Sequence, residues 1–538
     1  MPRRRSPSRW LLTLIATVFA LLAGTARADF ASALADLAGD DFTARLAAIA
    51  EIQASRHPQA LAVLAAALDG QLYRQRSDRR IVILGPGGDA PAQAQDALSG
   101  EPLAALSSSE LSRVSTNNRL RKTLRGALAG LRLGHADATV RLEAARELLG
   151  TPSDTSAALL REALANERDE GVLAAMQIGL ASIDIKSPDR DKRLQAIAAL
   201  DGSLHQEVRA LLESVADGDA QGDAEVQAAA AQVLARMHTR LAFYEQVNNL
   251  YFGISLGSVL LLAAVGLAIT FGVMGVINVA HGEMVMLGAY TTYVVQQLMP
   301  GQLEWSLLVA LPAAFVVAGV VGIGIERGVI RFLYGRPLET LLATFGVSLI
   351  LQQAVRSVFS PLNRSVSTPA WMSGSLEINP ALTLTYNRLY IIVFALAVLV
   401  FLVLLLRRSR FGLEVRAVTQ NRAMASAMGI RTGRVDALTF GLGSGIAGLA
   451  GVALSQLTNV GPSMGQAYIV DSFMVVVFGG VGNLLGTFLG AMTLGIANKF
   501  LEPATGSVLA KILMLVFIIV FIQRRPRGLF ALSGRAVD

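Results

Sequence analysis

Fifty mostly apolar residues run from Leu250 to Met299, interrupted near the middle by Ile277-Asn278-Val279-Ala280-His281-Gly282-Glu283. A crossing helix needs roughly 20 apolar residues, so the stretch predicts two crossings. Where they meet stand an amide, an imidazole, a carboxylate and a helix-weakening glycine. Ionisable groups at membrane depth face a protein interior or a water-filled path, and broken helices there line a cavity. The interruption therefore points to a polar route through a membrane.

Composition agrees. With 53% hydrophobic and 16% charged residues and a mean hydropathy of +0.50, the chain is more apolar than ordinary soluble domains. That average conceals two halves. As far as Leu241 the chain is Ala-rich and studded with Asp, Glu and Arg; beyond it, long apolar runs dominate and charge retreats to the gaps. The expected domains are 29–241, soluble, and 246–530, in the membrane. Arg3, Arg4, Arg5 and Arg9 precede an apolar run from Trp10 to Ala23, and Ala26-Arg27-Ala28 offers small residues for cleavage, so residues 1–28 read as a signal peptide. An uncleaved anchor is the alternative. Either way residues 29–241 are expected in a bacterial periplasm. The chain has no cysteine, which excludes disulfides, thiol chemistry and Cys-based metal sites. The net charge of +7 comes largely from the signal and the membrane-domain loops, and makes no case for nucleic-acid binding.

In the soluble half, apolar residues recur at three and four spacing in Phe42 to Ile52, Leu61 to Leu68, Leu120 to Leu131, Val140 to Leu149, Leu194 to Leu200, Val208 to Leu212 and Val226 to Met237. Val140 to Gly150 and Arg193 to Leu200 look like inner helices of HEAT-type repeats, in which stacked pairs bury a stripe that one pair cannot. Arg79-Arg80-Ile81-Val82-Ile83-Leu84-Gly85-Pro86-Gly87-Gly88 reads instead as a short strand and turn. Its glycines lack the Lys and Ser/Thr of a phosphate-binding loop. No cluster of His, Asp or Glu here has catalytic or metal spacing, so an interaction or scaffolding domain is expected.

Nine apolar runs follow: Leu250 to Thr270, Val276 to Leu298, Leu307 to Ile325, Leu341 to Phe359, Leu389 to Leu406, Leu438 to Leu457, Ile469 to Phe478, Leu484 to Ala497 and Val508 to Ile522. Two of them are short and joined by Gly479-Gly480-Val481-Gly482-Asn483, which leaves eight or nine crossings. Positive residues collect on the cytoplasmic side. Arg327, Arg331 and Arg336 mark one such loop, Arg407 to Arg434 a second, and Arg524, Arg525 and Arg527 the C-terminal end; entry from the periplasm with an odd count satisfies all three. The second loop, Gly412 to Ile430, is too charged to span. Its Val415, Val418, Ala423, Ala427, Met428 and Ile430 make short amphipathic turns broken at Gly429. Such a helix either docks in a partner's groove or lies on its own bundle.

Three ordered motifs carry a resemblance: Gly253 to Tyr290, Arg416 to Gly451, and Val475 to Ala491. Together they resemble the branched-chain amino acid permease family of ABC importers over residues 246–530, and the loop resembles their ATPase-coupling loop, with Glu414, Arg416, Asn421, Met424, Met428 and Gly429 as its contact residues. Within that family, the long exported extension resembles the urea-transport permeases of proteobacteria. The resemblance implies an all-α chain: a polytopic bundle of eight or nine spans preceded by an exported α-helical, HEAT-like domain. It also implies partners, namely a second homologous permease, two ABC ATPase subunits, a periplasmic solute-binding protein and membrane lipid. No cofactor is expected on this chain, because ATP and Mg belong to the partner subunits.

Urea is neutral, with four N–H donors and one strong carbonyl acceptor, so its path needs amides, hydroxyls and carbonyls more than fixed charge. The spans offer Asn278, Ser255, Thr270, Thr292, Thr344, Ser348, Ser444, Ser455 and Asn483, with His281, Glu283 and Asp471 as the few ionisable groups. Asn278, His281, Glu283, Asp471 and Asn483 are the candidate path residues. Asn278, His281 and Glu283 fit two roles equally: a hydrogen-bond knot that fixes the break, or direct solute contact. Asp471 either lines the periplasmic mouth or caps a helix. Gly441, Gly445, Gly448 and Gly451 recur at four and three spacing, as close helix packing requires. Branched-chain amino acids and short-chain amides are the alternative solutes. A membrane-anchored scaffold is the rival class, and an intramembrane enzyme lacks its catalytic pair.

Overall fold

The computed structural model describes residues 30–55, 57–84, 94–103, 111–149, 153–218 and 223–530. The expected signal peptide and the turn at Gly85 to Gly88 lie outside them. The chain divides into two compact units, Met1–Arg240 and Leu241–Asp538.

After a helical stretch at residues 30–37, the first unit continues with helices α1 (Phe42–Ala54) and α2 (Ala60–Asp69). Asp41 caps α1, its carboxylate accepting from the Thr43 backbone N–H at 2.9 Å. Gly70, at φ 70°, ends α2 in the left-handed conformation that glycine adopts freely. Five short strands follow: β1 (Leu72–Gln75), β2 (Ile81–Leu84), β3 (Ala94–Asp96), β4 (Pro102–Leu103) and β5 (Leu111–Arg113). They form one sheet in the order β4-β3-β2-β1-β5 with antiparallel pairings. This corrects the all-α expectation for residues 29–241. Strands of two to four residues are too short to display a two-residue period, and only β2 carries an apolar signature.

Helices resume with α3 (Asn118–Arg132), α4 (Ala138–Leu149), α5 (Asp154–Leu164), α6 (Glu170–Asp184), α7 (Arg190–Ala199) and α8 (Gln206–Ala216). Those from α3 to α7 pack on near neighbours in sequence. Helices α3 to α6 bury one apolar stripe that includes Leu133, Leu148, Leu160, Val172 and Met176. Between α4 and the α5–α6 turn, Arg141 grips Glu167 with two hydrogen bonds, Nε to Oε2 at 2.7 Å and Nη2 to Oε1 at 2.8 Å. Arg141 holds the Glu167 carboxyl down at about 2.

From α9 (Ala224–Met274) onward the chain is a helix bundle: α10 (His281–Leu298), α11 (Leu303–Gly328), α12 (Pro337–Phe359), α13 (Tyr386–Arg408), α14 (Arg410–Gln420), α15 (Arg422–Ala427), α16 (Thr432–Ser455), α17 (Met464–Gly479), α18 (Leu484–Thr505) and α19 (Ser507–Arg524). Between α12 and α13 stands a hairpin of β6 (Ser375–Asn379) and β7 (Leu382–Thr385). Among the described residues, seven helices are long and apolar enough to cross a membrane, α9, α11, α12, α13, α16, α18 and α19. The other two expected runs form α10 and α17. Helix α10 carries His281, Glu283, Gln296 and Gln297 in its 18 residues. Helix α17 has 16 residues, about 24 Å against a hydrocarbon core of roughly 30 Å.

Helix α16 is the hub, buried along most of its length. Its glycines let backbones meet. A Cβ on Gly448 would stand 2.6 Å from the Ala314 carbonyl oxygen of α11, one on Gly451 2.0 Å from the Val285 carbonyl oxygen of α10, and one on Gly443 2.6 Å from the Gly266 carbonyl oxygen of α9. Gly445 lies against Phe315 of α11 in the same way. In lipid no hydrophobic drive pulls helices together, so such small-residue contact is what holds them.

Candidate functional site

Helix α9 ends at Met274, and Gly275, at φ 67°, turns the chain back. Residues 275–280 are not helical, and α10 begins at His281. The imidazole Nε2 of His281 lies 2.9 Å from the carbonyl oxygen of Ala263, eleven residues before the end of α9 and so about 16 Å back along it. The connection therefore doubles back along α9, and α10 starts within the bundle rather than at its end. Non-helical backbone at such depth is tolerated only where protein or a cavity surrounds it. Asn278 and Ala280 are buried accordingly.

The first turn of α10 meets a polar stripe on α12. Thr340, Thr344, Ser348 and Gln352 follow one another at four-residue spacing and are all buried, so they share one face of that helix. The Thr344 hydroxyl oxygen accepts from the Val279 backbone N–H at 3.2 Å. Glu283, 1% exposed, accepts at Oε1 from the Ser348 hydroxyl at 2.9 Å and from the Gln352 amide at 2.8 Å. Seven residues on, the Tyr290 ring lies 4.8 Å from that of Phe359. Helices α10 and α12 thus run the same way with a polar seam between them, and Ser348 marks its level midway along α12.

Capacity is left over. Both amide atoms of Asn278, Nδ1 of His281, Oε2 of Glu283 and the Tyr290 hydroxyl are buried and make no hydrogen bond with the described residues. Helix α10 has no side-chain cap on its N-terminus, and Glu283 in that first turn complements the positive end of the helix dipole. Helix α17 also comes close: a Cβ on Gly282 would be 2.4 Å from the Gly465 carbonyl oxygen, and one on Gly465 2.8 Å from Glu283 Oε2. Any side chain at 465 would crowd that buried carboxylate oxygen.

The two roles weighed for the break divide among its residues. His281 is a knot, bonded to α9 and wedged where a Cβ on Gly266 would touch its ring at 3.0 Å. Glu283 is a knot through Oε1 and open through Oε2. Asn278 has both side-chain polar atoms open. Asp471 and Asn483 do not join the seam's hydrogen bonds. Asp471 pairs with Lys511 of α19 at 3.3 Å, and Asn483 caps α18, its Oδ1 accepting from the backbone N–H of Leu485 at 3.0 Å and of Gly486 at 3.1 Å. Gln352 and Tyr290 escaped the sequence reading, although the four-residue spacing from Thr340 to Gln352 carried the signal.

The charged loop after α13 has two faces. Val415, Val418 and Ala425 pack with Val435 of α16, so α14 and α15 lie on their own bundle. Met424 at 60% and Met428 at 77% exposure, with Leu413, face outward. Asn421 caps α15 by accepting from the Met424 backbone N–H at 2.9 Å, and Arg416 donates to the Leu406 carbonyl oxygen at the end of α13. Glu414 is exposed. Gly429, at φ 88° with open space around its Cα, is glycine for its backbone angle rather than for room.

A family model described as branched-chain amino acid transport system, permease component, matches residues 249–522. The high-affinity branched-chain amino acid transport system permease protein LivH of Escherichia coli is 32% identical over 300 residues, 54% of this chain and 96% of LivH. The corresponding BraD of Pseudomonas aeruginosa is 29% identical over 296 residues, 53% and 96% of the two chains. The ribose import permease protein RbsC of Escherichia coli is 28% identical over 268 residues, 48% and 78%. No solved structure matches. The family match falls on the helix bundle, whose seven apolar helices mark a multi-pass membrane protein. This chain belongs to the family of branched-chain amino acid transport system permease components.

Proposed function

We propose that the chain is the translocation subunit of an ATP-driven importer for urea, with the seam between α10 and α12 on the solute's path. The supporting observation is the seam's unspent hydrogen-bonding capacity. Asn278 Oδ1, Glu283 Oε2 and the deprotonated Nδ1 of a His281 whose Nε2–H donates to Ala263 are acceptors; Asn278 Nδ2 is a donor. An acceptor-rich lining with an amide donor suits a neutral solute carrying four N–H bonds and one carbonyl. The seam has no ion pair among the described residues, and a zwitterion's carboxylate would find the Asn278 amide and the α10 N-terminus as its donors.

Branched-chain amino acids are the second reading, favoured by the names of LivH and BraD and by the pairing of the uncapped α10 N-terminus with Glu283. In either reading the chain works with a second permease, two ATPase subunits that bind ATP and Mg, and a periplasmic solute-binding protein. The unit before Leu241 is then periplasmic. Uptake of labelled urea and labelled leucine in a strain lacking the chain separates the two: loss of urea uptake alone supports the first, and loss of leucine uptake alone overturns it.

A further inference from the structure

Asp436 stands near the start of α16 and is 1% exposed. Its partner is the guanidinium of Arg422, which bonds Oδ2, while Oδ1 makes no hydrogen bond with the described residues. Arg422 is the first residue of α15, on the loop that turns Met424 and Met428 outward. The same guanidinium lies 4.9 Å over the ring of Tyr334. The Tyr334 hydroxyl in turn donates to Oε1 of Glu326 at 2.9 Å, and Glu326 is buried in the last turn of α11. One side chain of the loop thus holds the ends of two helices.

Two physical points follow. A carboxylate withdrawn from water is stabilised by its partner, so the pair does not separate cheaply. Helix α16 is also an unbroken rod of 24 residues, about 36 Å long. Its Gly448 lies against the backbones of α11 and α10, and its Gly451 against that of α10. At those contacts backbone sets on backbone, with no flexible side chain between to absorb a displacement.

We infer that the Arg422–Asp436 pair is the positioning link that carries movement of the loop to the seam. A pull on α15 takes α16 with it through the pair, and α16 bears directly on the helix that carries Glu283. Arg422 acts through α16 and touches no solute. The link rests on the chain being the permease of an ATP-driven importer.

The test uses the complete complex in proteoliposomes, measuring labelled urea or leucine accumulated per ATP hydrolysed. Wild type is compared with Arg422→Gln, Arg422→Lys and the swapped pair Arg422→Asp with Asp436→Arg. Arg422→Gln should lower the ratio roughly tenfold, with Arg422→Lys keeping much of it and the swap regaining part. An unchanged ratio in Arg422→Gln overturns the link. So does a loss that neither the lysine nor the swap relieves, because a merely structural residue behaves that way. A wild-type complex without ATP-dependent uptake of either solute instead fails the transport reading, which keeps the two failures apart.

Discussion

The two units of the chain are held together by different chemistry. In the first, helix ends are tied by side chains, with Asp41, Asn117, Asp169 and Asp189 each accepting backbone N–H bonds at a helix start, and Arg141 clasps Glu167. In the second, α9, α10, α11 and α16 meet through glycine, carbonyl oxygen against Cα. Water makes the first solution natural: it supplies the hydrophobic drive that buries apolar stripes, and caps then fix where each helix begins. Lipid removes that drive between helices, leaving close packing and interhelical hydrogen bonds to do the holding. The polar seam is built from the second kind of bond, and part of its capacity stays unspent.

The contrast can be broken most severely in the glycine interface. A Cβ on Gly288 would stand 2.0 Å from the Gly448 carbonyl oxygen, so Gly288→Val has no room and should cost more than about 3 kcal/mol, seen as loss of the folded chain in detergent size exclusion. Gly429→Val comes next. Forcing a β-branched residue to φ 88° costs about 1–2 kcal/mol and misplaces the Met424 and Met428 face. ATPase subunits should co-purify poorly while the chain still inserts in the membrane. Glu283→Gln leaves the fold intact but replaces Oε2 or Oε1 with a donor. Solute uptake should fall roughly tenfold for a lost hydrogen bond, read as initial rates at matched protein level.

In the first unit the effects are smaller and depend on pH. Glu167 is held at about 2 against an ordinary 4.5. The ionised form is therefore favoured in the folded state, and its stabilisation is fully present above pH 4.5 and lost as pH falls toward 2. Glu167→Gln should flatten that acid loss, measured as the thermal midpoint of the whole chain at descending pH. The smallest effect is expected back in the helix bundle, at Asn483→Ala, which removes a helix cap worth about 1 kcal/mol. It should lower the midpoint slightly and leave uptake per molecule unchanged, whereas Asn278→Leu should lower uptake.

What the sequence made legible follows the same divide. The break at Ile277 to Glu283 was visible because polar residues inside an apolar run are costly and therefore conspicuous. The glycine face of α16 was visible because its three and four spacing is helical. Short strands hid the five-stranded sheet, since a run such as Ala94-Gln95-Asp96 carries no period and draws its strand character from neighbours far along the chain. Asp471 and Asn483 were polar groups near spans, like Asn278; only three-dimensional neighbours distinguish an ion pair with Lys511 and a helix cap from a residue with unspent bonds. Tyr290 was missed for the same reason, an aromatic ring in an apolar run whose hydroxyl finds no partner among the described residues.

The central claim is that solute passes the seam beside Glu283 and Asn278 and that this solute is urea. Its most direct test is ATP-dependent accumulation of labelled urea and labelled leucine by the complete complex in proteoliposomes, with Glu283→Gln beside wild type. The account predicts urea accumulation that Glu283→Gln lowers roughly tenfold, with little leucine taken up. Leucine accumulation without urea, or urea accumulation indifferent to Glu283→Gln, would contradict it.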